Sequence, residues 1–358
     1  MRTRASVLTI LAALVGVLAL AAAPAAGAPP PKAPVTIIQW NLFPGFDDGP
    51  VIAAAMSGDD EALVEAATVA WQQVHETDFS RRVHDIAGWI RLAGPDIVSV
   101  QEAARYVAVN GKGVEVETID FLDILVKAVR QAGASYEVAA VSENFDVPLP
   151  AILEDGDVGI VTLTDRDAIL VKSKSSRIAV SSPKSGRYQY FVGPPDFPFP
   201  LKRGWASIDV AIGGKSFRFL TSHLEDASSQ PDALTPLQMA QAAEMVETGL
   251  SGGLPTIFAG DFNTDGFRKW ETYKLLTGDL GLTDAWTTAN PRLPGLTWGN
   301  SPDLLNRFPR FTQRLDLVLF AGPFRVQNAV VIGGTVIDRA WARMWPSDHA
   351  GLLVTLVP

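Results

Sequence analysis

Asp261 and Asn263 leave the end of a short apolar run, Leu254-Pro255-Thr256-Ile257-Phe258-Ala259, on the same side of an extended chain. Gly260 stands just before them, and a residue without a side chain lets a neighbouring backbone come close. Other predicted strand ends carry the same kinds of residue. Asn41 ends the run Val35–Trp40, Glu102 ends Asp96–Gln101, and His223 ends the run that begins at Phe217. Asp316 enters the apolar run Leu315–Phe320, and Ser347-Asp348-His349 precedes the last run, Leu352–Val357. Taken singly, each has a plain structural reading. Glu102 is a surface carboxylate, His223 a hydrogen-bonded structural histidine, Asp261 with Asn263 an Asx turn, and Ser347-Asp348-His349 a turn. Taken together they supply hard oxygen donors suited to Mg2+ or Ca2+, and two histidines beside carboxylates for acid and base work. Metal-assisted hydrolysis of a phosphate ester needs that set. No Cys and no His-x-x-x-His pattern supports a structural zinc.

The elements that would position these groups alternate between strands and helices. Phe43 to Ser57 reads as a loop or insertion, with Pro, Gly and Asp47-Asp48. Asp59 to Val74 reads as a helix. A second helix runs from Asp78 to Leu92, with Phe79, Val83, Ile86 and Ile90 on one face, Arg81, Arg82 and Asp85 elsewhere, and Asp78 as its cap. Thr118 to Arg130 reads as a helix ended by Gly133. Tyr136–Val141 and Ala168–Val171 read as strands. Gly213-Gly214 signals a hairpin between Trp205–Ile212 and Phe217–Leu224. Leu234–Gly249 and Arg268–Leu276 read as helices, and Val326–Ile332 as a strand. Strands with helices between them, some joined by tight hairpins, argue for layered mixed sheets in one domain over residues 35–358.

The first residues read as a signal for export. Arg2 and Arg4 precede the apolar stretch Ala5–Ala23, with small-residue cleavage candidates at Ala21-Ala22-Ala23 and Ala26-Gly27-Ala28. Residues 1–28 are therefore expected to be a signal peptide and 29–34 a Pro-rich linker, giving a secreted protein. An uncleaved membrane anchor is the alternative. With 0 Cys there is no disulfide framework, so stability must come from core burial, to which a bound metal could add. The formal net charge of −9 disfavours binding a polyanion by bulk charge, without excluding local basic patches.

Six motifs in order resemble the endonuclease/exonuclease/phosphatase superfamily of metal-dependent hydrolases. They are Gln39-Trp40-Asn41, Val100-Gln101-Glu102, Ser222-His223-Leu224, Gly260-Asp261-Phe262-Asn263, Arg314-Leu315-Asp316 and Ser347-Asp348-His349. The resemblance implies an α+β, DNase I-like fold: a four-layer α/β/β/α sandwich of two packed mixed sheets flanked by helices. It implies a divalent cation, Mg2+ with Mn2+ or Ca2+ as alternatives, on Glu102 with Asn41 and Asp348. Asp261 and Asn263 would position or deprotonate the attacking water and hold the phosphoryl group. Asp316 would pair with His349, and His223 would contact the phosphate or protonate the leaving oxygen. Arg166 and Asp167 lie where many members carry other residues, and they read either as substrate contacts or as a turn.

The substrate is left open between nucleic acid and phospholipid. Arg307, Arg310 and Arg314, with Lys202-Arg203, could track phosphates, or could be ordinary solvated or paired charges. The loop with Phe191, Phe197 and Phe199 could enter a membrane surface as in a sphingomyelinase-like phospholipase, or pack on a sheet edge. Gly295-Leu296-Thr297-Trp298-Gly299 resembles a substrate-side loop. A catalytically inactive, surface-binding member is the non-enzymatic alternative. No protein partner is implied, and a monomer is expected.

Overall fold

Strand β1 (Val35–Asn41) is buried on both faces, and alternation divides its side chains between two cores. Ile38 and Trp40 pack against helices, whereas Val35 and Ile37 face a second sheet. The computed structural model describes residues 33–358 apart from 155, 174, 194–198, 229 and 340–342. The expected signal peptide, and the linker up to residue 32, lie outside the described residues, as does Phe197 of the aromatic loop. Among the described residues no helix is long and apolar enough to cross a membrane.

The chain continues with α1 (Gly49–Ser57), α2 (Asp60–Glu76), α3 (Phe79–Ala93), β2 (Ile97–Gln101), β3 (Arg105–Val109), β4 (Glu115–Asp120) and α4 (Phe121–Gln131). The hairpin β5 (Tyr136–Ile152) and β6 (Val158–Lys172) follows, then β7 (Ile178–Arg187), β8 (Gly204–Ile212) and β9 (Lys215–His223). Helix α5 (Pro231–Leu250) leads to β10 (Thr256–Asp261). Short elements α6 (Glu271–Lys274), β11 (Thr283–Asp284) and α7 (Ala285–Ala289) precede β12 (Asp316–Ala321), β13 (Arg325–Ile332) and β14 (Gly351–Val357).

The first sheet runs β13-β14-β1-β2-β6-β3-β4, with β5 paired to β6; the second runs β11-β12-β10-β9-β8-β7. β1 with β2 and β9 with β10 are parallel pairs among antiparallel ones, so both sheets are mixed. One core lies between the first sheet and α2, α3 and α4, through residues such as Trp71, Ile86 and Leu125. Another lies between the sheets, through Ile37, Ile97, Phe219 and Val318. A third lies between the second sheet and α5, through Phe258, Leu317 and Met245. The order helix, sheet, sheet, helix is the expected four-layer sandwich.

Several local expectations are corrected. The segment expected as a loop contains α1, entered with Pro50 in its first turn and stopped by left-handed Gly58. Asp78 makes no capping side-chain hydrogen bond; it takes φ of 32°, and its carbonyl accepts the N–H groups of Arg81 and Arg82. The helix expected from Thr118 starts at Phe121, because Asp120 caps it through the N–H groups of Leu122 and Asp123. The alternating residues before Asp120 form β4. β5 and β6 run far past the expected strands. β5 carries Pro148 and Pro150 and pairs β6 alone, and an edge strand accepts proline. Arg82 is fully buried on α3 rather than on its solvent side. Helix α6 spans only Glu271–Lys274 of the run expected from Arg268, and continues as a π turn.

Candidate active site

The inter-sheet core changes character along its strands. In β1 the inward face runs Val35, Ile37, Gln39, Asn41; in β2 it runs Ile97, Ser99, Gln101; in β9 it runs Phe217, Phe219, Thr221, His223. β10 adds Ile257, Ala259 and Asp261, and β12 adds Asp316, Val318 and Phe320. Apolar side chains therefore give way to polar ones toward a single edge of the sandwich. Register carries this across strands: Asp261 lies opposite His223 on one side and Asp316 on the other, and Asn41 lies opposite Gln101.

Below the edge, the polar side chains satisfy one another. Ser99 Oγ donates to Gln39 Oε1 at 2.8 Å and lies 2.7 Å from Thr221 Oγ1, and Gln101 Nε2 donates to Thr221 Oγ1 at 2.8 Å. Gln39 Nε2 donates to Gln101 and, at 3.2 Å, to Asp316 Oδ1. Buried polar groups are tolerated only when paired in this way. The seam joins the two sheets and fixes Asp316 from beneath.

Above it, His349 Nδ1 meets Asp316 Oδ2 at 2.8 Å, and His349 Nε2 faces Asp261 Oδ2 at 3.5 Å. Burial draws the His349 imidazole down, but Asp316, Asp348 and Asp261 outweigh it and hold its pKa well above the ordinary value. Asn41 Nδ2 donates to Asp261 Oδ2 at 3.0 Å. Asn263 Nδ2 lies 2.9 Å from His223 Nε2, and Asn263 N–H donates to Asp261 Oδ1 at 2.9 Å. His223 titrates down at about 3, through burial first and then through Arg203. Glu102 and Asn263 both adopt left-handed backbones, φ 52° and 47°, a strain typical of residues aimed at a site. A side-chain carbon on Gly260 would lie 1.9 Å from the Ser222 carbonyl oxygen, so the close approach expected at this glycine is real.

Every residue expected from sequence thus lies at this one edge. Asp261, Asp316, His223 and His349 keep 5% or less of their side chains exposed, whereas Glu102 and Asp348 keep 20% and 15% and lie nearer solvent. Burial, and next the Asp348 charge, hold the Glu102 carboxyl well above its usual range; Asp348 is likewise raised by burial. Two carboxylates with hard oxygen donors, and with no arginine bonded to them among the described residues, fit a divalent cation. Asn41 Oδ1 already accepts the Phe43 N–H at 2.9 Å, which leaves it one lone pair for such a cation. Asp261, Asp316 and His349 also offer ligand atoms within 4.8 Å of one another, as do Asp165, Asp167 and His223.

Several contributors were missed. Arg82 donates to the carbonyls of Leu42, Phe43 and Pro346, tying the loop after Asn41 to the turn that carries Asp348 and His349. Phe43, Phe79 and Phe121 surround its guanidinium. Ser347 Oγ donates to the Asn41 carbonyl at 2.8 Å. Trp298 Nε1 donates to Asp348 Oδ2 at 3.1 Å, and Thr297 Oγ1 accepts the N–H groups of Leu315 and Asp316, so the Gly295–Gly299 loop braces the site. Arg166 is neither turn nor free substrate contact: it lies within β6, buried, and donates to Asp120 at 2.6 Å and to the Ala103 carbonyl. Asn144 Nδ2 bridges Asp165 and Asp167, and among the described residues Asp167 Oδ1 has no hydrogen-bond partner. Arg314 is buried against Asp284 at 2.7 Å and so leaves the expected basic cluster; Arg307 and Arg310 stay exposed. Inward polar positions in otherwise apolar strands were the available signal for Gln39, Ser99, Gln101 and Thr221. No local pattern marked Arg82.

A model of the Endonuclease/Exonuclease/phosphatase family matches residues 69–349. Tyrosyl-DNA phosphodiesterase 2 of Rattus norvegicus is 29% identical over 181 residues, 48% of this chain and 47% of the relative. The match thus spans about half the length of that curated relative. Among solved structures, an endonuclease/exonuclease/phosphatase family protein from Leptotrichia buccalis has a TM-score of 0.56 at 14% identity, covering 90% of this chain and 99% of its own. A mannosyl-6-phosphatase from Bacteroides thetaiotaomicron has a TM-score of 0.53 at 18% identity, covering 90% and 100%. At these identities the two structures bear on the fold alone.

Proposed function

We propose, from the premise that the chain belongs to the endonuclease/exonuclease/phosphatase family and is a phosphoester hydrolase, that it cleaves phosphodiester bonds outside the cell with a divalent cation, Mg2+ foremost. The observation that carries this reading is the gathering of Glu102, His223, Asp261, Asn263, Asp316, Asp348 and His349 at one sheet edge. The phosphodiesterase named among its relatives favours a diester. Export rests on the Arg2, Arg4 and Ala5–Ala23 pattern.

A cation held by Glu102 and Asp348, with the free lone pair of Asn41, would supply positive charge to the phosphoryl oxygens. The remaining work belongs to the side chains. Asp261 is fixed by Asn41 and by the Asn263 N–H, and it takes a proton from the attacking water. Charged His349, steadied by Asp316, faces the same carboxylate and donates toward the negative charge that grows on the phosphoryl group. His223 and Asn263 contact a phosphoryl oxygen from the other side of Asp261.

Purified protein should hydrolyse bis-p-nitrophenyl phosphate faster than p-nitrophenyl phosphate, lose activity in EDTA and regain it with Mg2+. Parallel assays on oligonucleotides and sphingomyelin vesicles assign the source of the diester. Silence on all diesters with Mg2+, Mn2+ and Ca2+ would sink the reading, as would full activity in Asp261→Ala.

A further inference from the structure

The two sheets do not end together at the site. In the second sheet, β9 and β10 finish at His223 and Asp261, and β12 starts at Asp316. Trp205, near the start of β8, is paired with Ser222, and β7 finishes at Arg187 opposite Gly204. In the first sheet β1 and β2 stop at the same edge. β6, however, pairs β2 only through Ala168–Val171 and reaches back to Val158 between β3 and β5. A four-stranded apron, β4-β3-β6-β5, therefore projects beyond the site.

One face of the apron is filled. Tyr106, Ala108, Leu149, Val161 and Leu163 lie in the core that the first sheet shares with its helices. Alternation puts Thr164, Thr162, Ile160 and Val158 on the opposite face, where no strand of the second sheet remains to cover them. Their paired neighbours, moving outward, are Arg105 with Asp146, Val107 with Pro148, Val109 with Pro150, and then Ile152. Among the described residues, Val107, Val109, Ile152, Val158 and Ile160 join none of the hydrophobic cores. Val158, Ile152 and Ile160 keep 51%, 44% and 42% of their surface exposed.

β-branched residues suit any strand, but here they form one patch that is continuous with the site. Arg105 follows Glu102 closely in the chain, and Thr164 opposite it donates to Asp146 Oδ1 at 2.6 Å. At roughly 3.3 Å per residue, Ile160 lies about 13 Å farther out. Polar groups thus border the site and apolar ones lie beyond, which suits a molecule with a charged phosphate and an apolar arm. Contiguous apolar surface left exposed marks a contact.

Charge narrows the occupant. From Glu143 to Thr164 the chain carries five acidic residues and no basic one. Glu154 and Asp157 stand exposed in the turn between β5 and β6. Such an apron repels a polyanion and an anionic lipid surface alike. A zwitterionic lipid carries no net charge, and its outward ammonium groups complement the acidic turn.

We propose that this bare face seats the apolar arm of a zwitterionic lipid phosphodiester drawn from a lipid surface. This inference rests on the proposed phosphodiesterase reading and names its substrate class. Ile152, Val158 and Ile160 are the residues that set the preference; they touch the arm and not the reacting phosphate.

Ile152→Thr, Val158→Thr and Ile160→Thr combined keep the β-branched shape but remove the apolar surface. In the full chain the ratio of kcat/KM on sphingomyelin vesicles to that on bis-p-nitrophenyl phosphate should fall at least about tenfold, as when the burial of one large apolar side chain is lost. A thermal melt confirms that the variant is folded. Native protein should cleave sphingomyelin vesicles faster than an oligonucleotide, and should float with those vesicles but not with phosphatidylglycerol vesicles. The proposal is overturned by an unchanged ratio in the folded variant, by a preference for the oligonucleotide, or by activity on bis-p-nitrophenyl phosphate with none on the vesicles. A native protein silent on every diester would instead strike the functional reading. Flotation would then still decide the inference: binding to sphingomyelin vesicles that the triple variant loses supports it, and binding that is absent or unchanged overturns it.

Discussion

Asp316 Oδ2 and His349 Nδ1 are joined at 2.8 Å across the gap between the two sheets, one opening β12 and the other preceding β14. Gln39 reaches Asp316 Oδ1 from beneath, so the carboxylate is spent on orienting and charging the imidazole. Asp316→Asn would offer an amide in place of an anion and remove the reason for His349 to stay protonated. We expect kcat to fall by about a thousandfold or more with little change in fold, by analogy with other histidines deprived of their carboxylate. Steady-state kinetics beside a circular dichroism melt checks this; activity within tenfold of native would contradict it.

Glu102 is raised in pKa by burial and by Asp348, so without a cation it opposes folding at neutral pH. Mg2+ should raise the melting temperature in a concentration-dependent way. Glu102→Gln should melt at or above the metal-free native protein, and should no longer respond to Mg2+. A native-sized Mg2+ shift in the variant would place the cation elsewhere.

Arg82 closes three backbone carbonyls at once, with no solvent to replace it. Arg82→Met should cost about 3 kcal/mol in urea unfolding, since buried carbonyls are left without donors. Activity should fall as well, because the loops bearing Asn41 and Asp348 lose their common clamp. An unchanged unfolding midpoint would remove Arg82 from this role.

Asp120 caps α4 and pairs with Arg166 at 2.6 Å. Burial raises its carboxyl, but Arg166 and the backbone donors of Asp123 and Leu122 outweigh that and leave it below its usual value. A depressed carboxylate stabilises the fold above its unfolded pKa, and that contribution fades as pH falls through the folded one. Asp120→Asn keeps the cap but loses the ion pair, so it should be less stable than native by about 1 kcal/mol at pH 7. The gap should close as pH drops below about 4, the unfolded value. A gap that is constant from pH 7 to pH 3 would exclude the ion pair as its cause.

The order of motifs was readable because each candidate site residue sits where an apolar strand ends, and alternation alone places Asp261 and Asn263 on one side. The rest required partners distant in sequence. An arginine on an amphipathic helix reads as solvent-facing, and nothing near Arg82 announces the carbonyls of Leu42 and Pro346 or its cage of phenylalanines. Arg314 reads with Arg307 and Arg310 as a surface cluster until Asp284 is found beneath it. Beyond Val141, β5 carries Pro148 and Pro150, which an edge strand accepts, and whether a strand lies at an edge is a property of the sheet and not of the strand.

The bond from Trp40 to the His349 carbonyl joins residues 309 positions apart, and Ser347 reaches Asn41 across 306. β1, among the first described residues, has β14 as a sheet neighbour. Loops of this length close late, and their entropy must be met before any contact rewards it. A nascent chain stopped before residue 349 lacks its principal charged imidazole and the strand that seats β1. Whatever chemistry the edge performs therefore requires both ends of the described sheet to be paired first.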